Sequence, residues 1–400
     1  MVDQAATARR VCIAYPFFPH YRGPVLAELL ARGKHRYTLV GDRVSSEPSI
    51  KVWEVATGTD WVDAPVWAVG KSRGVYMQPG LIRAGLSGRY DVLVIHSGVW
   101  WPTTWLCAIA GRLTGKRVLS WGHGWTRPEG GWRGWLRRVY YRLYHAHMTY
   151  GHYAKIIFMQ TGWEAEGVQV IYNSLDYARQ RAARESVAPT ELAALRQKVM
   201  GGWAELPLVA CVTRLIPVRR LDLLIEAAAL LKAQGRPVAL LLVGDGPERA
   251  PLEALAKERG VACVFYGACY DEEAISRLVM LSRCVVAPGK VGLTAMTALA
   301  YGVPVVTHGD ENNQMPEWEA VVPGKTGTLF KDGDVADLAR AVGVWTLGAP
   351  DPAVAGSCIE IIERFWNAPM QRRCIERCID GKPADDLFWM KEPDLPGRTT

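Results

Sequence analysis

The chain has 400 residues, 49% of them apolar and 22% charged, with 47 Lys and Arg against 40 Asp and Glu and a net charge of +7. These values exclude wholesale disorder, and the length allows two domains with separate cores. No apolar run approaches the ~18 residues of a membrane span. The opening MVDQAATARRVCIAYPFF has no signal-peptide core, so the expected product is soluble or peripheral and stays in the cytoplasm.

The charge is uneven. Residues 1–190 hold 24 Lys and Arg against 13 Asp and Glu, and residues 191–400 hold 23 against 27. A basic first half points to an anionic surface or substrate there. The nine cysteines lie mostly in apolar runs, as buried reduced thiols do. Cys374 and Cys378 are the one close pair, without histidine neighbours, so a zinc site is disfavoured.

Along the first half, RRVCIAY (9–15), YTLVGD (37–42), DVLVIHS (91–97) and RVLSWGHG (117–124) read as buried strands. Helical stretches such as 23–33 and 101–115 separate them, the pattern of a parallel sheet covered on both faces. The segment 172–197 is polar and reads as the interdomain connection. Strands then recur at 206–214, 238–246, 263–267 and 283–287, with helices between them, of which 221–235 has clear 3.6 spacing. The expected architecture is α/β: two Rossmann-like doubly wound domains facing across a cleft. The first domain is expected at 1–185, facing the acceptor and the membrane, and the second at 200–345, binding the nucleotide sugar, followed by a helical segment at 346–382 and a loosely ordered tail at 383–400.

Ligands of open parallel sheets bind beyond the carboxyl ends of the strands. In the second half those ends supply Thr213–Arg214, Gly244–Asp245–Gly246, Tyr266–Gly267 and Pro288–Gly289–Lys290. The stretch PGKVGLTAMTALAYGVPVV (288–306) runs from strand through glycine loop to helix, which presents free backbone N–H groups to a phosphate. Arg219 and Arg220 stand at the next helix start, where cations are unfavourable without a ligand. Forked guanidinium donors there suit a diphosphate.

Together, TRLIPVRRLDLLIEA, LLVGDGPERAPLEALA, TALAYGVPVV and VIYNSLD resemble the family-4 (group 1) glycosyltransferases of the GT-B fold, over about residues 9–345. The resemblance implies that Arg214 and Arg219 grip the diphosphate of a nucleotide-sugar donor. It implies that Gly292, Leu293 and Thr294 donate backbone N–H groups to the phosphates, and that strand ends at Gly244, Gly246, Tyr266 and Gly267 border the base. His123, in SWGHGW, is implied to contact the donor sugar, with the PFFPHYRG loop lining the cleft.

One departure is plain: the family's two glutamates, with seven residues between them, align with Gly289 and Thr297. PGKVGLTA resembles a variant found in some polysaccharide-assembly transferases, and Lys290 is the candidate for a phosphate contact instead. Residues 309–327 hold Asp310, Glu311, Glu317 and Glu319. They read either as a solvated loop with Glu317 capping a helix, or as a sugar reader through Asn312, Asn313 and Gln314. His123, between glycines at a strand end, reads as functional more readily than His20 or His96. His145, His147 and His152 read as surface or packing residues.

The segment 126–155 carries six Lys and Arg against one Glu. On a helix, Trp132, Trp135, Leu136, Val139 and Leu143 share one face, bordered by Arg133, Arg137, Arg138 and Arg142. Such a face suits an anionic membrane surface, or packing on the sheet. No nucleic-acid module is recognisable.

The expected activity is a retaining transfer of a sugar from a nucleotide-diphosphate sugar to a saccharide or polyprenyl-diphosphate-linked acceptor in cell-surface polysaccharide biosynthesis. It is expected at the inner face of the plasma membrane, without a metal or other cofactor. The alternatives are a non-catalytic nucleotide-sugar-binding subunit and a GT-B-fold nucleotide-sugar epimerase.

Overall fold

The structure is a computed structural model that describes residues 8–47, 50–69 and 75–385. The chain divides into two units, one running to Leu175 and resuming at Asn367, the other spanning Asp176–Trp366.

In chain order the first unit begins with β1 (Arg10–Phe17), α1 (Gly23–Arg32), β2 (Arg36–Asp42) and β3 (Trp61–Asp63). A short ribbon of β4 (Trp67–Val69) and β5 (Val75–Met77) follows, then α2 (Gly80–Leu86), β6 (Val92–His96), α3 (Pro102–Leu113) and β7 (Arg117–Gly122). The series closes with α4 (Gly131–Tyr141), β8 (Ala146–Thr149), α5 (His152–Gln160) and β9 (Val168–Val170). Seven strands form one parallel sheet in the order β3-β2-β1-β6-β7-β8-β9. β1 is buried from Val11 to Phe17 because its apolar run is covered on both faces.

The second unit contains α6 (Tyr177–Ser186), α7 (Pro189–Met200), β10 (Leu208–Val212), α8 (Leu221–Ala233), β11 (Ala239–Val243), α9 (Arg249–Arg259) and β12 (Ala262–Gly267). It continues through α10 (Glu272–Met280), β13 (Cys284–Ala287), α11 (Leu293–Ala300), β14 (Val305–His308), β15 (Gly327–Phe330), α12 (Val335–Thr346) and α13 (Pro352–Arg364). Its six parallel strands are ordered β12-β11-β10-β13-β14-β15. Successive residues of β11 feed opposite cores: Leu240 and Leu242 pack with Leu224 and Leu338, while Leu241 packs with Leu208 and Leu278. The sheet is therefore doubly wound, as the alternation of strands and helices predicts.

Three boundaries differ from the sequence expectation. The division falls at Leu175/Asp176, and the polar stretch beyond it folds as α6 and α7. Asp176 starts α6 by accepting the Arg179 backbone N–H at 3.1 Å. The expected helical segment at 346–382 is split between the units: α13 stays with the second, while α14 (Ala368–Asp380) belongs to the first. Buried polar contacts hold α14 there. Gln371 Nε2 donates to the Tyr172 carbonyl at 2.9 Å, Ser174 Oγ donates to Gln371 Oε1 at 2.7 Å, and Arg372 pairs with Glu28 at 3.3 Å. The tail beyond residue 385 lies outside the described residues.

Candidate active site

Each sheet has a point where strand order reverses, between β1 and β6 in the first unit and between β10 and β13 in the second. The chains leave such a point in opposite directions and open a crevice at the carboxyl ends. The second-unit crevice holds a cavity of about 180 Å³, walled by Cys211–Thr213, Arg219 and the whole loop from Val286 to Thr294.

Two cations stand on this wall. Arg219 is half-buried and its Nη1 donates to the Lys290 carbonyl at 2.8 Å, while its Nε is buried with no acceptor. Lys290 lines the same cavity. α11 begins at Leu293, and no side chain caps its amino end at Gly292. The loop is positioned from behind: the Gly289 N–H donates to the Arg219 carbonyl at 3.2 Å, and Gln314 Oε1 accepts from the Val291 N–H at 2.9 Å. A cation pair, an orphaned buried donor and an uncapped helix end converge on one cavity, which is the chemistry of an oxyanion or diphosphate site.

The structure thus brings Arg219, Lys290, Gly292, Leu293 and Thr294 together. Arg214 lies on the loop after β10, exposed and off the cavity wall. Thr297 is one turn into α11, also off the wall, with its hydroxyl turned back to the Leu293 carbonyl at 3.3 Å. Thr294 spends its hydroxyl similarly on the Val212 carbonyl at 3.2 Å. Gly289, the position aligned with a family glutamate, has no room for a side chain: an added Cβ would sit 2.5 Å from the Val218 carbonyl oxygen.

Gly244 and Gly246 have a packing reason for being glycine. An added Cβ would meet the carbonyl oxygens of Thr213 and Leu215 at 1.8 and 2.3 Å, and Gly244 also has φ +146. Gly244 N–H donates to the Gly267 carbonyl at 2.8 Å, which ties the ends of β11 and β12, and Tyr266 beside it is exposed.

In the loop after β14, Asp310, Asn312 and Asn313 are exposed, and the departures from the sequence readings lie at Gln314, Glu317 and Glu319. Gln314 is buried and fully used, its Nε2 donating to Thr307 Oγ1 and the His308 carbonyl at 2.9 Å each. It is a brace for the phosphate loop rather than a sugar reader. Glu317 and Glu319 are buried rather than solvated.

The first-unit reversal point carries an aromatic and basic cluster: Tyr15 from β1, Arg22 before α1, His96 at the end of β6, Trp121 and His123 around the end of β7, and Tyr150 after β8. Tyr15 packs edge-on to His96 at 4.8 Å and donates its hydroxyl to the Trp121 carbonyl at 3.1 Å. His123 stands edge-on to Tyr150 at 5.1 Å. Desolvation by the surrounding protein and, second, the Arg22 cation push its pKa down to about 4. The same causes, with His123 added, hold His96 at about 3. Both rings are neutral near pH 7. Sequence reading singled out His123 but passed over Arg22, whose only signal is a basic residue between an aromatic strand end and the Gly-Pro start of α1.

A larger cavity of about 820 Å³ in the second unit is walled by Lys232, Val238, Val261 and Cys263, along the edge strand β12. It is lined by residues at the amino ends of β11 and β12 and by α9, and none of the glycine-loop residues reach it.

Comparison with known proteins agrees with this geometry. Residues 201–349 match the family model for glycosyl transferases group 1. A GDP-mannose-dependent alpha-(1-6)-phosphatidylinositol monomannoside mannosyltransferase of Mycolicibacterium smegmatis is 27% identical over 279 residues, covering 64% of this chain and 68% of the relative. Anabaena HepE, solved in complex with UDP, shares the fold at TM-score 0.66 and 18% identity, over 93% of this chain and 99% of its own. WaaG, a glycosyltransferase involved in lipopolysaccharide biosynthesis, does so at TM-score 0.60 and 15% identity, over 92% and 99%. Residues 201–349 thus carry a glycosyl transferases group 1 region in a chain of GT-B fold, and these likenesses support a nucleotide-sugar-dependent glycosyltransferase.

Proposed function

We propose that the chain transfers a sugar, with retention of anomeric configuration, from a nucleotide-diphosphate sugar to a lipid-linked saccharide at an anionic membrane surface. The observation that carries this reading is the orphaned Arg219 Nε beside Lys290 and the uncapped start of α11, on one small cavity. Arg219, Lys290 and the N–H groups of Gly292–Thr294 stabilise the charge that grows on the diphosphate as its bond to the anomeric carbon breaks. Arg214 adds an exposed cation on the neighbouring loop. The acceptor oxygen forms its bond on the face the diphosphate leaves, and its proton passes to the departing phosphate oxygen. Neutral His123 holds a sugar hydroxyl.

A lipid-linked acceptor is supported by the acceptor named for the mycobacterial relative and by the exposed surface of α3 and α4. Trp132 and Trp135 are 64% and 63% exposed, and Trp100 stacks edge-on to Trp132 at 6.1 Å. Leu106, Ile109 and Leu113 make an exposed apolar stripe on α3. The buried face of α4 is Gly134, Tyr140 and Tyr141 instead. Apolar rings standing in water beside Arg133, Arg138 and Arg142 suit an interfacial helix. No helix among the described residues is long and apolar enough to cross a membrane.

The test is turnover. The full chain is incubated with a panel of UDP- and GDP-sugars, with and without membrane lipid extract. Nucleotide release that requires the extract, with the sugar recovered in the lipid fraction in its original anomeric configuration, is the expected result. Release into water alone, or an inverted product, overturns the proposal.

A further inference from the structure

The first unit contains a half-buried cation, its Nε and Nη1 shut from solvent, that nothing in the transfer step has used. Arg22 lies in the loop between β1 and α1, at the reversal point of its sheet. Its guanidinium carbon is 4.4 Å from the centre of the Tyr15 ring, 5.2 Å from Trp121 and 5.3 Å from Tyr150. Three rings hold the charge by their electron-rich faces. Aromatic faces accept no forked hydrogen bonds, however, and both Nε and Nη1 are buried without an acceptor. Taking a cation and two of its donors out of water costs several kcal/mol unless an anion completes the set.

The neighbours do not supply that anion. The other members of the cluster are two histidines held neutral, two phenols and Trp121, none of them an anion near pH 7, and the guanidinium keeps its charge as arginine does throughout proteins. An arginine that is always charged, fixed by three rings, with unspent donors at the sheet's ligand-binding end, has the features of a pre-organised oxyanion receptor.

We propose that Arg22 is an anion-binding residue of the acceptor site, taking a phosphoryl or carboxylate group that the acceptor carries. This rests on the reading that the first unit receives the acceptor. The consequence is specificity: acceptors that bear an acidic group near the reacting hydroxyl are selected over neutral saccharides, because a neutral acceptor leaves the buried donors unspent.

The experiment follows the Nε–H resonance of Arg22 in the full-length chain with arginine selectively labelled, assigned by its loss in R22K. Burial of Nε protects that proton from exchange with water. Inorganic pyrophosphate and galacturonate are titrated separately, with sodium chloride at matched ionic strength as control. A saturable shift of the Arg22 signal with either anion is expected. The arm that saturates at lower concentration identifies phosphoryl or carboxylate as the preferred group. By calorimetry with the second unit saturated by GDP or UDP, R22Q is expected to bind that anion at least tenfold more weakly than wild type. An Arg22 signal that does not move, or that moves equally with chloride, overturns the proposal. The Arg219 signal, assigned through R219K, is followed in the same spectra. If Arg219 responds and Arg22 does not, the acceptor inference fails while the diphosphate site stands; the reverse pattern sinks only the latter.

Discussion

Gly289 offers a sharp test of how the phosphate loop is built. An added Cβ would lie 2.5 Å from the Val218 carbonyl oxygen and 3.2 Å from Arg219 Cα, both of them backbone atoms. Ordinary contact needs about 3.4 Å or more, so in G289A the two loops must part by several tenths of an ångström. Overpacking of this kind costs about 1–3 kcal/mol. For a unit of this size 1 kcal/mol moves Tm by about 2–4 °C, so the second-unit transition is expected to fall by roughly 3–10 °C in calorimetry. The shift also strains the Arg219 Nη1 to Lys290 carbonyl bond of 2.8 Å, so nucleotide affinity falls with it. Gly356 in α13 is the control: it is exposed, and nothing lies within 4 Å of its added Cβ. G356A is expected to raise stability by about 0.5–1 kcal/mol, since only helix propensity changes. A neutral G289A, or a G356A that destabilises as much, would refute the steric account of the loop.

Two further outcomes follow from other parts of the molecule. Replacing Trp132 and Trp135 together by serine is expected to lower pelleting with anionic liposomes at least tenfold while leaving Tm within a few degrees, because both rings are already exposed; unchanged pelleting removes the membrane role of α4. His147 is fully buried, bonded to Ser120 Oγ at 2.7 Å and held by burial at a pKa of about 3. The unfolded chain therefore takes up a proton there that the folded chain refuses. Stability present above about pH 6.5 drains away as pH falls toward 3, by up to about 1.4 kcal/mol per pH unit from this residue. Chemical denaturation at pH 7, 6 and 5 should show that slope, and H147Q should flatten it; an equal slope in both proteins contradicts the assignment.

Much of the fold was legible because parallel strands announce themselves as continuous apolar runs. β1, β2, β6, β7, β10, β11, β12 and β13 all coincide with the runs read from the sequence, β1, β2 and β12 overrunning theirs by one or two residues. The short β8 and β9 were missed, being three or four residues long, with polar residues inside both, His147 and Gln169. The phosphate loop was legible from glycine and lysine after a strand, a local signal. What failed was non-local. α14 returns to the first unit through partners about two hundred residues or more away in sequence. Gln314 reads as a ligand-facing amide until its three bonds are seen spent on the loop and on Thr307 and His308. Gly244 and Gly246 look like ligand glycines, yet the reason visible in the structure is the 213–215 loop pressed against them. Arg22 has no sequence signal at all beyond its charge, since the three rings around it come from three different strand ends.

The central claim is that Arg219, Lys290 and the start of α11 form the diphosphate grip. It is tested most directly by comparing the affinity of the full chain for UDP and GDP with that for uridine and guanosine, in wild type and in R219Q. The account predicts that wild type binds one of the diphosphates at least a hundredfold more tightly than its nucleoside, about 2.7 kcal/mol. R219Q should then lose most of that difference with nucleoside affinity unchanged. Equal affinity for diphosphate and nucleoside in wild type, or a difference that survives R219Q intact, would contradict it.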